Sequence, residues 1–289
     1  MTGGRWLLAI ASLIGACRHG DRIVVGSKNF TESDLLGEIV AQQIERRTGL
    51  PVERRFHLGG TFVCHQAITS GQIGMYVEYT GTAYTAVLKH APVQDPDSVY
   101  RSVAAEYATR FGLTWGKPFG FNNTFAIAVR RPDAARYGLH TISDLARAAP
   151  RWHAGFGYEF LERSDGFAGL TRTYGLRFAA PPTAMDLGLT YRALAEGKVD
   201  VIAGNSTDGQ IAALGLVALE DDRHYFPPYQ AAVVSRAQLL GRYPAVANAL
   251  AQLEGKISDQ EMRRLNALAD VAHKDIATIA RDWLRTNLP

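Results

Sequence analysis

The chain has little cysteine, no concentrated positive charge and, beyond its first residues, no long apolar run. The 289 residues include only two cysteines, Cys17 and Cys64, which excludes a disulfide framework as the basis of stability. The 31 lysines and arginines nearly balance 28 acids and are spread along the chain, whereas a nucleic-acid surface needs a concentrated basic face. We therefore expect no nucleic-acid partner, and we interpret Cys64 as a small buried apolar residue.

Motifs that would indicate catalysis are also missing. The chain has no Gly-x-Ser-x-Gly turn, no His-Glu-x-x-His helix and no glycine-rich phosphate loop with lysine. A serine near Asp208 has no histidine placed to complete a triad, and Cys64-His65 lacks a second pair of metal ligands. Glu78, Glu159 and Asp208 could pair as carboxylates, but the sequence does not fix their separation. We expect a protein that is not an enzyme and needs neither cofactor nor metal.

The first residues have the pattern of an export signal. Arg5 precedes an apolar run from Trp6 to Ile14, and Gly15-Ala16 follows directly before Cys17. The run is too short to span a membrane. Residues 1–16 are therefore predicted to be a signal peptide, and the small residues before Cys17 resemble a bacterial lipobox in which that cysteine carries the lipid. The alternative is an ordinary signal peptide with a chance cysteine.

Short apolar runs that alternate with helical patterns predict an α/β protein. Ile23–Gly26 and Met75–Tyr79 have the character of strands, and helical periodicity follows Thr31. The alternation favours a mainly parallel sheet, and the length allows one large or two smaller domains. Near the C-terminus, a capping-box sequence at Ser258 predicts one long amphipathic helix that continues toward Leu284.

Five polar clusters lie where predicted strands begin or end. In open α/β sheets ligands bind at the carboxyl ends of strands, so we expect these clusters to line one site. The tyrosine-rich stretch from Met75 to Tyr84 adds aromatic faces beside hydroxyl and backbone donors, which suits a small ligand with a cationic and an anionic end. The clusters are Ser27-Lys28-Asn29, Gly60-Thr61, Tyr79-Thr80-Gly81-Thr82, Asn122-Asn123-Thr124-Phe125 and Asn205-Ser206-Thr207-Asp208.

Five ordered motifs carry a resemblance to a known family. They are Gly26–Glu32, Tyr76–Thr82, Gly120–Ala126, Asn205–Gly209 and Phe226–Tyr229. From about Arg22 to the C-terminus the chain resembles the substrate-binding proteins of osmoprotectant ABC importers, which take up glycine betaine, choline, carnitine and related quaternary amines. The resemblance implies a two-lobed type II periplasmic-binding-protein fold with two inter-lobe crossovers. Lobe 1 would comprise residues 22–122 and 228–289, and lobe 2 residues 123–227.

The resemblance also implies an aromatic cage for a trimethylammonium group. Carried over by residue, the cage falls on Tyr79, Phe125, Asn205 and Tyr229. Phe125 keeps the ring without the hydroxyl, but Asn205 has an amide where close relatives often have an aromatic ring. Because a cation–π contact contributes about 0.5–2 kcal/mol, the open wall would weaken betaine binding by roughly tenfold or admit a more polar ligand.

The ligand's carboxylate would fall on Lys28 and Thr82, with the dipole of the following helix acting in the same direction as the lysine charge. Further candidate ligand-binding residues are Ser27, Thr61, Asn123 and Asp208. Two alternatives remain open from the sequence. The tyrosines could be half-buried core residues with wet hydroxyls, and Lys28 could be a solvated surface lysine.

The resulting expectation is a monomeric periplasmic or extracytoplasmic receptor, with Cys17 as its candidate lipid anchor. It would bind a quaternary-amine zwitterion in the cleft and deliver it to an ABC permease with its ATPase. One alternative is a receptor for another betaine-like solute such as ergothioneine, which Asn205 favours. Another is an enzyme or a sensor on the same fold, since a fold does not fix a function.

Overall fold

Two five-stranded sheets, each flanked by helices, form the framework of the protein. The computed structural model describes residues 22–288, so the candidate signal peptide at residues 1–16 and the candidate lipidation site at Cys17 lie outside the described residues. The strands are β1 (Ile23–Gly26), β2 (Val52–Arg55), β3 (Met75–Tyr79), β4 (Leu113–Trp115), β5 (Phe125–Arg130), β6 (Ala154–Gly157), β7 (Thr183–Met185), β8 (Val201–Asn205), β9 (Leu216–Ala218) and β10 (Ala231–Arg236).

Helices connect and cover these strands. They are α1 (Thr31–Thr48), α2 (Thr61–Thr69), α3 (Thr80–Thr82, continuing as a π-helical turn over Ala83–Val87), α4 (Pro96–Phe111), α5 (Arg131–Tyr137), α6 (Ile142–Ala148), α7 (Tyr158–Glu162), α8 (Phe167–Tyr174), α9 (Leu187–Ala195), α10 (Gly209–Ala213), α11 (Ala237–Arg242), α12 (Pro244–Ala251), α13 (Asp259–Asp270) and α14 (Ile276–Asn287). Within residues 22–288, no helix combines the length and apolar character needed to cross a membrane.

The first strand and helix show why the local sequence folds as it does. All four residues of β1 are buried, as expected for an apolar strand covered on both faces. Helix α1 has acids in its first turn and Arg46 and Arg47 in its last turn, which complements the helix dipole. It ends at Gly49, whose φ of 69° is the left-handed conformation that glycine adopts without steric cost.

The sheets define two lobes with the same mixed topology. Lobe 1 has the strand order β2-β1-β3-β10-β4, and lobe 2 has the order β7-β6-β8-β5-β9. β1 pairs in parallel with β2 and β3, whereas β10 is antiparallel to both neighbours. In lobe 2, β5 is likewise antiparallel to β8 and β9. The predicted two-lobed α/β fold is confirmed, but the sheets are mixed rather than mainly parallel, because β5 and β10 enter their sheets directly from the other lobe.

The two segments that cross between the lobes lie side by side. Asn122 and Gln230 form an isolated antiparallel bridge, and the backbone N–H of Asn123 donates to the carbonyl of Tyr229 at 3.0 Å. A bonded pair of short connecting segments is a suitable hinge, since few residues need to change dihedral angles. The exact lobe boundaries, residues 22–122 with 228–289 and residues 123–227, stay a prediction.

The predicted single helix from Ser258 to Leu284 is wrong, because the chain forms α13 and α14 there. His273 interrupts the helical backbone with a φ of 51°. Asp275 then caps α14, its side chain accepting the backbone N–H of Thr278 at 2.8 Å. An aspartate at this position satisfies a helix N-terminus and so favours a new start over continuation.

Cys64 is a free, buried cysteine, which confirms its interpretation as an apolar core residue. Burial raises the pKa of its thiol to about 12, so the thiolate form that makes cysteine reactive is disfavoured.

Candidate functional site

A cavity of about 260 Å³ lies between the lobes, at the carboxyl ends of β1, β3, β6 and β8. All six main candidates from the sequence line it, together with two of the four further candidates, Thr61 and Asn123. The lining residues are Lys28, Asn29, Phe30, Gly60, Thr61, Phe62, Val63, Tyr79, Thr82, Asn123, Phe125, Gly157, Tyr158, Glu159, Phe160, Glu162, Arg163, Asp186, Leu187, Ala203, Asn205 and Tyr229.

The remaining two candidates, Ser27 and Asp208, lie outside the cavity wall. The Ser27 hydroxyl is fully buried, donates to the Asp34 carboxylate and accepts the backbone N–H of His57 at 2.8 Å. Asp208 lies behind Asn205 and lines a neighbouring cavity of about 320 Å³. Ser27 therefore holds the loop after β1, whereas Asp208 acts on the site through its neighbour.

Aromatic rings from the hinge form one wall. Phe125 begins β5, and its ring meets that of Tyr229 at a centroid distance of 5.6 Å and an angle of 75°, the edge-to-face geometry that aromatic pairs favour. The Tyr229 hydroxyl donates to Asp165 at 2.6 Å. Gly81 leaves room for the Tyr229 ring, because a Cβ atom on residue 81 would lie only 2.7 Å from that ring.

Tyr79, at the end of β3, forms the opposite aromatic wall. It is only 4% exposed, and its hydroxyl donates to Glu32 at 2.7 Å. The Lys28 Nζ atom lies 5.2 Å from the centroid of the Tyr79 ring. The tyrosine is thus a buried residue with a bonded hydroxyl that also presents its ring to the site.

Glu32 is a buried carboxylate that joins several parts of the molecule. It is 1% exposed and accepts hydrogen bonds from the side chains of Tyr79, Asn123, Thr207 and Asn266 at 2.5–2.7 Å. Burial raises the pKa of Glu32, and the four hydrogen bonds oppose that shift. Because the donors come from lobe 1, the hinge and lobe 2, this carboxylate ties the lobes together beside the cleft.

Lys28 is not the solvated surface lysine that the sequence left open. Its side chain is buried, and its Nζ atom donates to Glu78 at 2.5 Å and to the Thr61 hydroxyl at 2.8 Å. A buried ammonium requires such a charged partner. The lysine reaches the cleft from the loop between β1 and α1, directly before the helix N-terminus.

Arg163 is a site residue that sequence reasoning missed. It is 5% exposed, makes a double hydrogen bond to Asp165 at 2.8 and 2.5 Å, and donates to the Thr82 hydroxyl at 3.1 Å. Its Cζ atom lies 5.0 Å from the Phe125 ring centroid and 5.8 Å from that of Tyr229. Burial disfavours the charge, but Asp165 more than compensates and raises the pKa of Arg163.

Glu159, which the sequence suggested only as a member of a carboxylate pair, is a second residue not predicted at the binding site, and it bridges the cleft. Its Oε1 atom accepts the backbone N–H of Thr61 at 3.1 Å, across from α7 to the start of α2. Burial alone would raise the pKa of Glu159, but the charges of Lys28 and Arg163 bring it below its ordinary value. The sequence did contain one indication of this role, because Glu159 lies just after the strand β6 and ligands bind at the carboxyl ends of strands in α/β sheets.

The site combines two buried cations, their carboxylate partners and three aromatic rings in one small cleft. Within residues 22–288, no cluster of three or more His, Cys, Asp or Glu side chains could hold a metal ion. A two-lobed α/β molecule with convergent polar and aromatic groups in a hinged cleft is a solute-binding protein.

Comparison with known proteins identifies the family. A sequence model of the substrate-binding domain of ABC-type glycine betaine transport systems matches residues 21–286, so the chain belongs to this family. The carnitine transport binding protein OpuCC of Listeria monocytogenes is 35% identical over 269 residues, which are 92% of this chain and 87% of that protein.

Two further relatives cover most of this chain. The ergothioneine transport permease/ergothioneine binding protein EgtU of Helicobacter pylori is 35% identical over 263 residues, 91% of this chain and 47% of that relative. The chain thus spans about half the length of EgtU. A crystal structure described as a glycine betaine/carnitine/choline ABC transporter superposes with a TM-score of 0.74 at 34% identity, covering 91% of this chain and 98% of that one.

Proposed function

We propose that this protein is an extracytoplasmic receptor that binds a small quaternary-ammonium zwitterion, of the glycine betaine type, in the cleft between the lobes. It delivers the ligand to the permease of an ABC importer, whose ATPase drives uptake, and it catalyses no reaction. Membership in the family of glycine betaine substrate-binding domains supports the transport role. The composition of the cleft supports the class of ligand.

The observation that carries the ligand class is that the aromatic rings already hold cations. Arg163 lies over the rings of Phe125 and Tyr229, and Lys28 lies over that of Tyr79. Ring faces attract positive charge through their quadrupoles, which contributes about 0.5–2 kcal/mol per contact. The same rings line the cavity, so a trimethylammonium group there would contact the ring surface that the two cations leave uncovered.

The charges around the cleft also favour a ligand with a cationic end. Lys28 and Arg163 form ion pairs with three carboxylates, Glu78, Asp165 and Glu159. Two further acids, Glu162 and Asp186, line the cavity, so acidic side chains outnumber basic ones at the cleft by five to two. Such a cluster repels a simple anion, whereas a zwitterion can place its carboxylate near the two cations and its ammonium group on the rings.

The transport role also suggests how the receptor is exported, anchored and closed around its ligand. The receptor is monomeric, closes by hinge motion about the paired crossing segments, and is exported by residues 1–16. A lipid on Cys17 tethers it to the membrane. Thr82, which already accepts from Arg163, is proposed to bind the ligand's carboxylate together with that arginine and Lys28.

A second candidate ligand is another betaine-like solute such as ergothioneine. The half-buried amide of Asn205 in the cleft wall favours it, because an amide recognises polar groups that an aromatic ring does not. Relatives named for carnitine and for ergothioneine are equally similar to this chain, at 35% identity.

Calorimetric titration of the purified mature protein with glycine betaine, L-carnitine, choline and ergothioneine tests this proposal. At least one betaine is expected to bind. Choline, which lacks the carboxylate, should bind at least about tenfold more weakly, because a hydrogen bond to a charged group contributes about 1.5–3 kcal/mol. If none of the four bound at about millimolar concentration, the osmoprotectant assignment would be wrong.

A further inference from the structure

The amide of Asn205 has a fixed orientation in the cleft wall. Asn205 ends β8 and pairs with Phe125 across the sheet, so its side chain stands beside the aromatic wall. The backbone N–H of Asn205 donates to Asp208 Oδ2 at 2.9 Å, and its side-chain Nδ2 atom donates to the same oxygen at 3.2 Å. Above its pKa of about 7, the Asp208 carboxylate only accepts hydrogen bonds, so the amide nitrogen faces Asp208 there.

The amide oxygen is consequently the polar atom that Asn205 has to offer to the cleft. None of the hydrogen bonds found among residues 22–288 uses this oxygen as acceptor. A carbonyl oxygen that is desolvated without a donor costs about 1–3 kcal/mol. A ligand that fills the cleft must therefore supply a donor to this oxygen or accept that cost.

A hydrogen bond from Tyr191 fixes the position of Asp208 behind the cleft wall, which supports the orientation of the Asn205 amide. Tyr191, on α9, donates its hydroxyl to Asp208 at 2.6 Å. Gly204 makes this contact possible, because a Cβ there would lie 1.9 Å from the Tyr191 hydroxyl. The Oδ2 atom of Asp208 thus accepts hydrogen bonds from both Tyr191 and Asn205.

We propose that this wall selects, among quaternary-ammonium zwitterions, those that carry an O–H or N–H donor on their carbon skeleton, with Asn205 Oδ1 as the acceptor. The inference rests on the proposed function, since it names a subset of the same ligand class. Asn205 is the residue that determines specificity, and Asp208 is a positioning residue that keeps the oxygen toward the ligand. An aromatic ring at this position could not make the distinction, because its face attracts any cationic head group.

The experiment compares how one substitution affects ligands with and without a donor. L-carnitine and γ-butyrobetaine differ by one hydroxyl, and ergothioneine has a ring N–H that glycine betaine lacks. Calorimetric affinities are measured for these four ligands with the wild type and with Asn205→Ala. The titrations are run at about pH 8.5, because Asp208, whose pKa is about 7, is ionised at that pH. Melting temperatures of both proteins verify folding.

The wild type is expected to bind L-carnitine, ergothioneine or both more tightly than the donor-free ligands. Asn205→Ala should weaken the donor ligands that bind by about fivefold to tenfold, the effect of one neutral hydrogen bond, and the donor-free ligands by less than about twofold. Equal changes for all ligands that bind would overturn the inference, as would tight binding confined to donor-free ligands. Failure of all four to bind would instead overturn the proposed function, and the inference with it.

Asp208→Ala tests the positioning role separately. It removes the acceptor that holds the Asn205 amide nitrogen, so the orientation is no longer enforced, and the preference for donor ligands should fall by at least about half. Asn248→Ala, at an exposed position on α12, is the matched control and should leave all affinities unchanged. An undiminished donor preference in folded Asp208→Ala would show that Asp208 does not orient the amide.

Discussion

Both walls of the cleft are held by a carboxylate, but the two carboxylates present different groups to the ligand. In lobe 1, the fully buried Glu32 accepts four hydrogen bonds and fixes the ring of Tyr79. In lobe 2, the partly buried Asp208 fixes the amide of Asn205. One wall offers a ring face to any organic cation, whereas the other offers a directional acceptor. Under the proposed function, Tyr79 of lobe 1 and Phe125 of lobe 2 would both recognise the cationic class, whereas Asn205 alone would discriminate among its members.

The strongest way to break the lobe 1 wall is to remove its ring. Tyr79→Ala should weaken ligand binding by more than about tenfold and, since the side chain is buried, lower the free energy of unfolding by about 3–5 kcal/mol. Tyr79→Phe keeps the ring and is the matched control. Calorimetry and urea unfolding measure both effects. Wild-type affinity in Tyr79→Ala would contradict the aromatic wall.

Glu32→Gln tests the support behind the same wall. The substitution leaves one acceptor oxygen for four donors and directs an NH₂ group at some of them, so we expect a loss of about 1–3 kcal/mol in the free energy of unfolding. Glu196→Gln, at a side chain that is 47% exposed, is the control for charge removal. Urea unfolding of both variants is the measurement. Equal losses would show that the four bonds do not stabilise the fold.

Asn205→Tyr makes the lobe 2 wall more like the lobe 1 wall. A fourth ring in the predicted cage should tighten binding of a trimethylammonium ligand by about twofold to tenfold, as expected for one cation–π contact. It should also abolish any preference for ligands with a hydrogen-bond donor. Calorimetry with glycine betaine measures the change. No change, or weaker binding, would mean that Asn205 does not occupy an open cage position.

Asp208, the carboxylate that supports the lobe 2 wall, also predicts a pH effect. Burial raises the pKa of Asp208 to about 7, the charges of Glu32 and Asp270 add to this shift, and the Tyr191 hydrogen bond opposes it. Since the pKa of an unfolded aspartate is about 3.9, the contribution of Asp208 to stability is fully present below about pH 4 and is lost as the pH rises through about 7.

Asp208→Asn removes this titration. Relative to the wild type, the variant should therefore gain stability as the pH rises from about 4 to about 8. Melting temperatures of both proteins across this range measure the difference. A difference that stays constant, or that changes in the opposite direction, would show that Asp208 is not a group whose folded-state pKa is raised.

The sequence predicted the parts of the fold and site that depend on local pattern. Buried strands and the polar clusters after strands follow from periodicity and turn residues, and the clusters placed Tyr79 and Phe125 among the candidates that line the cleft. Tyr229 entered only through the family resemblance, and no side-chain cap holds the start of α1, whose N-cap position is Phe30. The break between α13 and α14 was missed, because the amphipathic pattern continues across it and only the cap at Asp275 marks the new start.

Residues whose placement depends on tertiary contacts could not be predicted. Arg163 follows a five-residue helix and belongs to no local motif. Its position depends on Asp165, which is itself held by Thr85 and Tyr229 from lobe 1. The orientation of the Asn205 amide likewise depends on a tyrosine fourteen residues earlier in the chain, Tyr191, through Asp208.

The most direct test of the central claim compares glycine betaine with 3,3-dimethylbutanoate in calorimetric titrations of the mature protein. The two molecules have the same shape and the same carboxylate, but a carbon replaces the charged nitrogen. If ring faces in the cleft recognise a quaternary ammonium group, glycine betaine should bind at least about tenfold more tightly, because several cation–π contacts are lost in the uncharged head group. Equal affinity for the two would contradict the account.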